Sequence, residues 1–388
     1  MRNRLVLAGA AVVAGAGLCT AAVPATAAQA PLNLSVGCGD AAGLVAAVGQ
    51  ANVHPEGGTI ALAKDCAYRL RDDFANSGTA LPAITGRVGI VGNNSTLIRS
   101  VSDGLPYFRI LAVGEGGRLV LKGVGVTGGR TEGDGAGIAN AGTLRLEDSK
   151  VVGNQAGGTG GGIANAGGDV TLVDSTVLTN VATSSAGEPG YGGGLGNDAT
   201  GTLTIRRSTV AGNTADEDGG GIRNLGTLTV DRGYIANNEA RDGNGGGIDN
   251  LGTATVKQSR IVENWGGFDG GGARNGEDAT LEAQDTSFVG NKAGNDGGAV
   301  HNEGTARLRE SRVERNSAGR DGGGLNNEQA AGADTARLTL HRTTVMGNRA
   351  AGVGGGSNNT LGAVVTLRGS EIVRNLPTNC AGTVPGCS

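Results

Sequence analysis

A repeat of about 25 residues is the feature that most limits the folds open to this chain. Each unit reads approximately G-T-L-T-V-x-x-S-x-V-x-x-N, followed by a variable turn and then by G-G-G-I-x-N. The ten units, of which the last is truncated, begin at Gly117, Gly142, Gly168, Gly201, Gly226, Gly252, Ala279, Gly304, Ala336 and Ala363. Repeats of this length are typical of solenoids, in which each unit buries its apolar side with the help of its neighbours.

The apolar residues inside each unit follow the periodicity of β-strands. They alternate in the first segment, as at Leu203 and Ile205, and in the second a small hydroxyl residue lies two positions before an aliphatic one, as at Ser208 and Val210. A third short segment, with Ile222 as an example, follows the glycines. Because alternation places one side of each strand inward, the sequence predicts an all-β, right-handed parallel β-helix with about 25 residues and three strands per coil.

Two columns of asparagine recur at fixed places in the units. The first column is Asn154, Asn180, Asn213, Asn238, Asn264, Asn291, Asn316, Asn348 and Asn375, and the second is Asn140, Asn165, Asn197, Asn224, Asn250, Asn275, Asn302, Asn327 and Asn359. An Asn at the same corner of every coil can satisfy backbone groups that the corner leaves unpaired. We therefore interpret both columns as structural ladders. Many of the 76 glycines lie before the third strand, where a positive φ and close backbone approach favour Gly.

Both ends of the repeat region predict caps. Asp40 and the small and apolar residues that follow it predict a short helix that covers the N-terminal end. We expect residues 28–116 to form this cap and the opening coils, residues 117–375 the repeats, and residues 376–388 a C-terminal cap. The cysteines Cys38, Cys66, Cys380 and Cys387 allow three disulfide connectivities. Because the repeats should hold the two ends far apart, we expect Cys38–Cys66 and Cys380–Cys387.

The N-terminal residues point to an extracellular protein. Residues 1–27 combine a basic start, an apolar run and small residues at the end, which is typical of a secretory signal peptide. No later apolar run is long enough to predict insertion into a membrane. The net charge of −4, without a basic block, argues against a nucleic-acid partner. We therefore expect a secreted, extracellular monomer.

One unit carries a family resemblance. Ser287-Phe288-Val289-Gly290-Asn291, followed by Gly297-Gly298-Ala299-Val300, resembles the polymorphic outer-membrane-protein repeat, whose marks are FxxN and GGA[ILV]. Most units here read VxxN and GGGI instead. Residues 38–388 also resemble secreted right-handed parallel β-helix proteins of the pectin lyase-like fold. The resemblance implies this fold; some such proteins are adhesins and others are polysaccharide lyases and hydrolases, but no catalytic motif of theirs matches this chain.

We expect a ligand site at outward-facing positions of the coils, because the residue type at these positions varies from unit to unit. The residue before the glycines is Asp218, Asn244, Asp269, Asp296 and Asp321 in consecutive coils, and the residue between the aliphatic and the Asn of the third strand is Arg223, Asp249, Arg274 and His301. The candidate catalytic residues are Asp218, Asp249, Asp269, Arg274, Asp296 and His301. Asp269 and Asp296 could also hold Ca²⁺, and we expect no other cofactor. The alternative is that Asp-Gly is favourable turn chemistry and that the Arg and Asp side chains form an exposed ion-pair stripe.

The candidate substrate-binding residues are Tyr191, Arg223, Trp265 and Phe268, because aromatic rings beside carboxylates can stack on sugars. Trp265 and Phe268 could instead cover the corner of their own coil. The predicted function is a scaffold with an extended surface for binding glycans or a cell envelope, as in an adhesin. The alternative is a polysaccharide lyase or glycoside hydrolase acting on an extracellular polysaccharide, so catalysis is left open.

A remote third hypothesis is ice binding. It rests on the T-x-T pairs Thr202/Thr204, Thr227/Thr229 and Thr253/Thr255, which lie in consecutive units. Arg145, Glu282 and Arg307 interrupt this column in other units. Thr is also an ordinary residue on an exposed strand.

Overall fold

The computed structural model describes residues 29–100, 106–185, 187–329 and 334–387. The predicted signal peptide, residues 1–27, lies outside the described residues. The chain is an all-β parallel β-solenoid of about 13 turns with about 26 residues per turn, which confirms the fold expected from the repeat. Equivalent residues of successive coils pair directly, as in the series Thr202, Thr227 and Thr253.

Each regular coil contains four strands in three sheets, so the expected number of three strands was wrong. The first two strands of a coil belong to one sheet and are separated by a bend at a residue with positive φ, such as Arg207 or Arg232. A two-residue strand then follows the first ladder Asn, for example Glu239–Ala240. Sequence periodicity missed this strand because two residues are too few to show alternation.

The first sheet contains 23 strands within the described residues. Its opening strands are Leu32–Val36, Gly58–Leu62, Ala67–Leu70, Arg87–Arg99 and Arg118–Thr127. The strands before the bend are Thr143–Glu147, Asp169–Val173, Thr202–Arg206, Thr227–Asp231, Thr253–Lys257, Thr280–Gln284, Thr305–Arg309, Arg337–His341 and Val364–Arg368. The strands after the bend are Lys150–Val152, Thr176–Leu178, Thr209–Ala211, Tyr234–Ala236, Arg260–Val262, Ser287–Val289, Arg312–Glu314, Thr344–Met346 and Glu371–Val373.

The other two sheets are built from shorter strands. In the described chain the second sheet consists of Arg130–Thr131, Gln155–Ala156, Val181–Ala182, Thr214–Ala215, Glu239–Ala240, Trp265–Gly266, Lys292–Ala293, Ser317–Ala318 and Arg349–Ala350. The third sheet consists of Leu111–Val113, Ile138–Asn140, Ile163–Asn165, Leu195–Asn197, Ile222–Asn224, Ile248–Asn250, Ala273–Asn275, Val300–Asn302, Leu325–Asn327, Ser357–Asn359 and Cys380–Gly382.

Both asparagine columns form ladders inside the coils, as predicted. The Asn264 Oδ1 accepts hydrogen bonds from the backbone N and the Nδ2 of Asn238, at 3.0 and 2.9 Å, and the Asn264 Nδ2 donates to Ile235 O and Asn291 Oδ1. In the second ladder, Asn250 Nδ2 donates to Asn275 Oδ1 at 2.8 Å. These side chains are buried, so the ladders replace water as the partner of corner backbone groups.

The N-terminal cap is the helix Ala41–Val53, and a short 3₁₀ turn lies at Phe74–Asn76. The Asp40 carboxylate accepts a hydrogen bond from the Gly43 backbone N at 2.8 Å, which confirms the predicted start of the helix. The buried face of the helix, which includes Leu44 and Val48, joins the solenoid core. Both predicted disulfides are present, Cys38–Cys66 in this cap and Cys380–Cys387 in the C-terminal tail.

Candidate functional site

The outer side of the third sheet and the loop that precedes its strands carry most of the residues predicted to be functional. Its floor is the middle residue of each strand, namely Ala139, Ala164, Gly196, Arg223, Asp249, Arg274, His301, Asn326 and Asn358. The loop before the glycines forms one border, and the turn after the second ladder Asn forms the other. The loop lies close against the floor: Gly245 has a φ of +64°, and a Cβ placed on it would lie 2.6 Å from the Asp249 Cα. We call this surface the groove.

The groove opens into a cleft of about 320 Å³ near its N-terminal end. The floor here is small, with Ala164 and Gly196, and Tyr191 lines the cleft. The Arg223 guanidinium carbon lies 3.4 Å from the centroid of the Tyr191 ring, so the two side chains stack. Leu225, which is exposed, completes an amphipathic lining. The cleft exists because the floor residues of two coils, Ala164 and Gly196, are small and leave open space, whereas the floor residue of the next coil is the large Arg223.

A row of ion pairs continues from the cleft along the groove. Arg223 Nη1 lies 3.5 Å from Asp218 Oδ2, and Arg223 Nε lies 3.9 Å from Asp249 Oδ2. Arg274 Nη1 lies 3.4 Å from Asp249 Oδ1, and its Nη2 lies 2.8 Å from Glu303 Oε2. We call these five side chains the charge row. Opposite charges alternate along the charge row, and its floor residues Arg223, Asp249 and Arg274 lie on adjacent coils.

A second set of polar contacts extends the charge row toward the C-terminus. His301 Nε2 lies 3.6 Å from Glu303 Oε1 and 4.0 Å from Glu328 Oε2. Asn326 Nδ2 lies 3.2 Å from His301 Nδ1, and Asn326 Oδ1 accepts a hydrogen bond from Asn358 Nδ2 at 2.8 Å. The groove therefore holds a connected polar network over the last six regular coils.

The structure corrects the expectation that the ion-pair stripe is exposed. Asp249 is 0% exposed and His301 is 2% exposed, whereas the side chains of Arg223 and Arg274 keep small exposed fractions of 14% and 19%. Asp249 and His301 do point outward from their strands, but the loop before the glycines covers them. Strand alternation predicts the side of the sheet on which a side chain lies, but it does not predict whether a loop folds over that side chain.

Burial changes the acid–base properties of the network. Desolvation, assisted by the nearby Asp218 carboxylate, raises the pKa of Asp249 to about 7, although Arg274 and Arg223 oppose the shift. Burial lowers the pKa of His301, but Glu303, Asp269 and Glu328 outweigh it and the net shift is upward. Burial raises the pKa of Glu303, but His301 and Arg274 outweigh it and the net shift is downward.

Two buried atoms of the charge row have no hydrogen-bond partner, Asp249 Oδ2 and Arg223 Nη1. Asp249 Oδ2 lies 3.9 Å from Arg223 Nε, and Arg223 Nη1 lies 3.5 Å from Asp218 Oδ2; both are ion-pair distances without hydrogen-bond geometry. Buried polar atoms of this kind are uncommon in folded proteins. They mark the Arg223–Asp249 junction, next to the cleft, as the part of the charge row where buried polar atoms lack hydrogen bonds.

The aspartates before the glycines form a third ladder. Asp218 Oδ1 accepts hydrogen bonds from the backbone N and the Nδ2 of Asn244, Asp269 Oδ1 accepts from the Asp296 N, and Asp296 Oδ1 accepts from the Asp321 N. Each carboxylate thus binds the backbone of the next coil. This arrangement matches the turn-chemistry interpretation, and the calcium and catalytic roles of these aspartates stay predictions. In the described residues, no group of three or more His, Cys, Asp or Glu side chains is placed to hold a metal ion.

The four candidate substrate-binding residues do not all meet. Tyr191 and Arg223 are stacked at the cleft, as described above. Trp265 lies on the second sheet, on a different side of the coil, and Phe268 lies on the loop between that sheet and Asp269. Both rings are substantially exposed, at 40% and 46%. The sequence distance between Trp265 and Asp269 is short, but the coil turns between them.

Sequence reasoning missed Glu303, Glu328 and Asn326 as members of the network. Glu303 and Glu328 directly follow the ladder residues Asn302 and Asn327, at a turn position that borders the groove. Asp198 and Leu225 occupy the same turn position beside the cleft. The position lies between the second ladder Asn and the next unit and has no recurring residue type, so the repeat pattern does not connect its acids with the floor.

The T-x-T pairs lie in register on the first sheet in three adjacent coils. The next coil places Glu282 in the same column. Ice binding stays a prediction that no feature of the groove supports.

Comparison with known proteins gives a similarity in structure only. No family model matches the chain, and no curated protein matches it in sequence. The solved structures include PfbA, a surface adhesin of Streptococcus pneumoniae, with a TM-score of 0.42 and 12% sequence identity over 91% of this chain and 93% of that chain. The function of PfbA is not transferred to this chain at this level of similarity. In the part of the chain that the structure describes, no helix is both long and apolar enough to cross a membrane.

Proposed function

We propose that this protein is an extracellular binding scaffold and that the cleft beside Tyr191 holds sugar residues of a glycan. The observation that carries the proposal is the cleft itself, an open recess of about 320 Å³ that combines an aromatic ring, an arginine and small floor residues. Its size is near the lower end of the range for small-molecule sites. A short stretch of a glycan chain therefore fits better than a folded protein surface.

The lining of the cleft suits a sugar. Tyr191 and Leu225 supply apolar area for the C–H faces of a pyranose ring, and the hydroxyls of the ring need polar partners. Asp198, Asp134 and Arg223 lie around the same recess and can supply them. The Tyr191 ring is held in place by the Arg223 guanidinium, so little side-chain freedom is lost when a ligand binds.

The two disulfides and the predicted signal peptide support an extracellular location. The parallel coils also give the groove its direction, along the stack of strands. The cleft spans the coils of Ala164, Gly196 and Arg223, so a linear polymer that binds there can lie along the coil axis over these three coils. This geometry favours a glycan chain or a cell-envelope polymer over an isolated small molecule.

The proposal is tested on a glycan array and then by titration calorimetry with the best glycan. We expect Tyr191→Ala to weaken binding at least tenfold. The matched control is Tyr234→Ala, because Tyr234 also lies beside an arginine, Arg260 at 5.8 Å, but on the first sheet away from the cleft. Equal effects of the two substitutions, or an array without any ligand, would contradict the proposal.

A second candidate function is cleavage of the bound glycan, favoured by one observation. The pKa of Asp249 is raised to about 7 next to the cleft, and carboxyl groups with raised pKa values serve as general acids in glycosidases. Asp249 is covered, so direct proton donation from its carboxyl group to a bound glycan requires a movement of the loop at Gly245. Such an activity would release reducing ends or unsaturated sugars from a polysaccharide panel. A panel without either product, assayed from pH 5 to pH 8, would exclude it.

A further inference from the structure

The last three coils carry a strongly basic surface on the outer side of the first sheet. We call it the basic face. Its arginines are Arg307, Arg309, Arg312, Arg315, Arg337, Arg342, Arg368 and Arg374, and its acids are Glu310, Glu314 and Glu371. The chain as a whole has a net charge of −4. The excess of positive charge on the basic face is therefore local, and the net charge of the whole chain does not reveal it.

Most of these arginines have no acidic partner. Among the described residues, ion pairs hold only three of the eight: Arg307 with Glu282, Arg315 with Glu314, and Arg342 with Glu310. The remaining five have no ion pair within the same part of the chain, and they are exposed: Arg309, Arg312, Arg337, Arg368 and Arg374. In the strand register His341 separates Arg309 from Arg368, so the repulsion between these two arginines acts across two coils, and a bound anion would reduce it.

The centre of the basic face is a row of three side chains. Arg309 pairs in register with His341, and His341 pairs with Arg368, so the three point outward from adjacent coils. Adjacent strands are about 4.8 Å apart, which places the two arginines about 10 Å apart. His341 Nδ1 is buried and has no hydrogen-bond partner. That nitrogen is closed to solvent, so the second observation that points to a ligand is the pair of exposed guanidinium groups, Arg309 and Arg368, on either side of the histidine.

Earlier coils show that this row is not a requirement of the fold. The same column of the first sheet reads Arg206, Asp231 and Lys257 in consecutive coils, where the signs of the charges alternate. Over residues 227–290 the outer side of the sheet carries three basic and four acidic side chains. The β-solenoid therefore also forms where this charge is neutralised, and relative to residues 227–290 the excess begins at Arg307.

We infer that the basic face is a second binding surface, distinct from the cleft, for an anionic polysaccharide that bears carboxylate or sulfate groups. A linear polyanion repeats its charge along one direction, and the basic face repeats its cations along the coil axis. Arginine suits these groups because its guanidinium can donate two parallel hydrogen bonds to a carboxylate or sulfate.

Nucleic acid fits the same face less well. Proteins that bind single strands stack the bases on aromatic rings, and the residues 305–316, 337–348 and 364–375 contain no Phe, Tyr or Trp. A flat sheet also lacks the helix or ribbon that enters the major groove of a duplex. The disulfides place the chain in an oxidising compartment, where anionic glycans are the more common polyanions.

The experiment measures binding of the full chain to heparin, which carries sulfate, to polygalacturonate, which carries carboxylate, to neutral dextran and to duplex DNA. We expect binding to at least one of the two acidic polysaccharides at 50 mM salt, a loss of about tenfold or more at 200 mM salt, and none to dextran. The double substitution Arg309→Gln with Arg368→Gln should reduce the affinity at least tenfold. The matched control is Arg206→Gln with Lys257→Gln, which removes the same charge from the same column and should change the affinity less than twofold.

Several results would overturn the inference: no binding to either acidic polysaccharide, equal losses in the two double variants, or tighter binding to DNA than to both polysaccharides. The control for folding is a far-ultraviolet circular dichroism spectrum of each variant, which should match that of the wild type. The inference does not depend on the proposed function of the cleft. Tyr191→Ala should leave binding to the basic face unchanged, and the Arg309/Arg368 variant should leave binding to the cleft unchanged, so failure of one does not imply failure of the other.

Discussion

Replacing Asp249 by Asn tests whether the charge row stores an electrostatic cost. The ordinary pKa of an aspartate is 3.8, and burial raises that of Asp249 to about 7. Because each pKa unit corresponds to about 1.36 kcal/mol, ionised Asp249 costs the folded state on the order of 4 kcal/mol relative to the unfolded chain. Asn has the same shape as a protonated Asp and does not ionise, so the variant avoids this cost.

The sign of the pH dependence follows from proton binding. Between pH 4 and pH 7 the folded protein keeps a proton on Asp249 that the unfolded chain has lost, so stability falls as the pH rises through this window. Above pH 7 the penalty is constant. The neighbouring groups Arg274, Glu303 and His301 are present in both proteins, so their own pH dependence largely cancels in the difference.

The assay is equilibrium unfolding in guanidinium chloride at pH values from 4.0 to 8.5, followed by circular dichroism. The variant should gain stability relative to the wild type as the pH rises, by on the order of 4 kcal/mol in total between pH 4 and pH 8. Asp242→Asn is the control, since the Asp242 side chain is exposed, and its difference from the wild type should stay flat. Parallel stability curves for the wild type and Asp249→Asn would refute the reasoning.

Three further predictions concern the fold. Asn264→Ala should lower the free energy of unfolding by about 4 kcal/mol, measured by denaturant titration, because it removes four buried hydrogen bonds to neighbouring residues. Gly246→Ala should unfold at a clearly lower temperature than the wild type, because the new Cβ would lie 2.3 Å from the Trp265 carbonyl. Its control is Gly49→Ala in the N-terminal helix, where a Cβ would have no atom within 4 Å; this variant should be neutral or stabilised by up to about 1 kcal/mol. Replacing Cys38 and Cys66 by Ser should cost about 3 kcal/mol in the same titration; an unchanged midpoint would show that this cap does not depend on its disulfide.

The internal repeat allowed much of the fold to be predicted. The spacing of residues such as Asn238, Asn264 and Asn291 predicted the coil, the ladders and the register, because a parallel stack brings equivalent positions together regardless of the turns between them. The helix after Asp40 and the two disulfides followed from local capping chemistry and from the separation of the ends. The two-residue strands were not predictable from periodicity, because Ala240 and its equivalents follow the ladder Asn too closely for any alternation to appear.

The candidate site was predicted only in part. The sequence placed Arg223, Asp249 and Arg274 in one column, and the structure confirms that these three pair across coils. It did not identify Glu303 as the partner of Arg274, since that acid comes from a turn and not from the strand. The separation of Trp265 from the groove also depends on where each coil bends, which the residue spacing within one unit does not report.

The sequence by itself determined that this protein is a β-solenoid with ladders at its corners and with charge in its third-strand column. Only the tertiary structure decided which of those charges face water. The alternation along a strand predicts which side chains point away from the core, but their exposure to solvent depends on the path of the neighbouring loop. At Gly245 the positive φ brings the loop against the floor, so that Asp249 is buried between two arginines while the small residues Ala164 and Gly196 leave an open cleft.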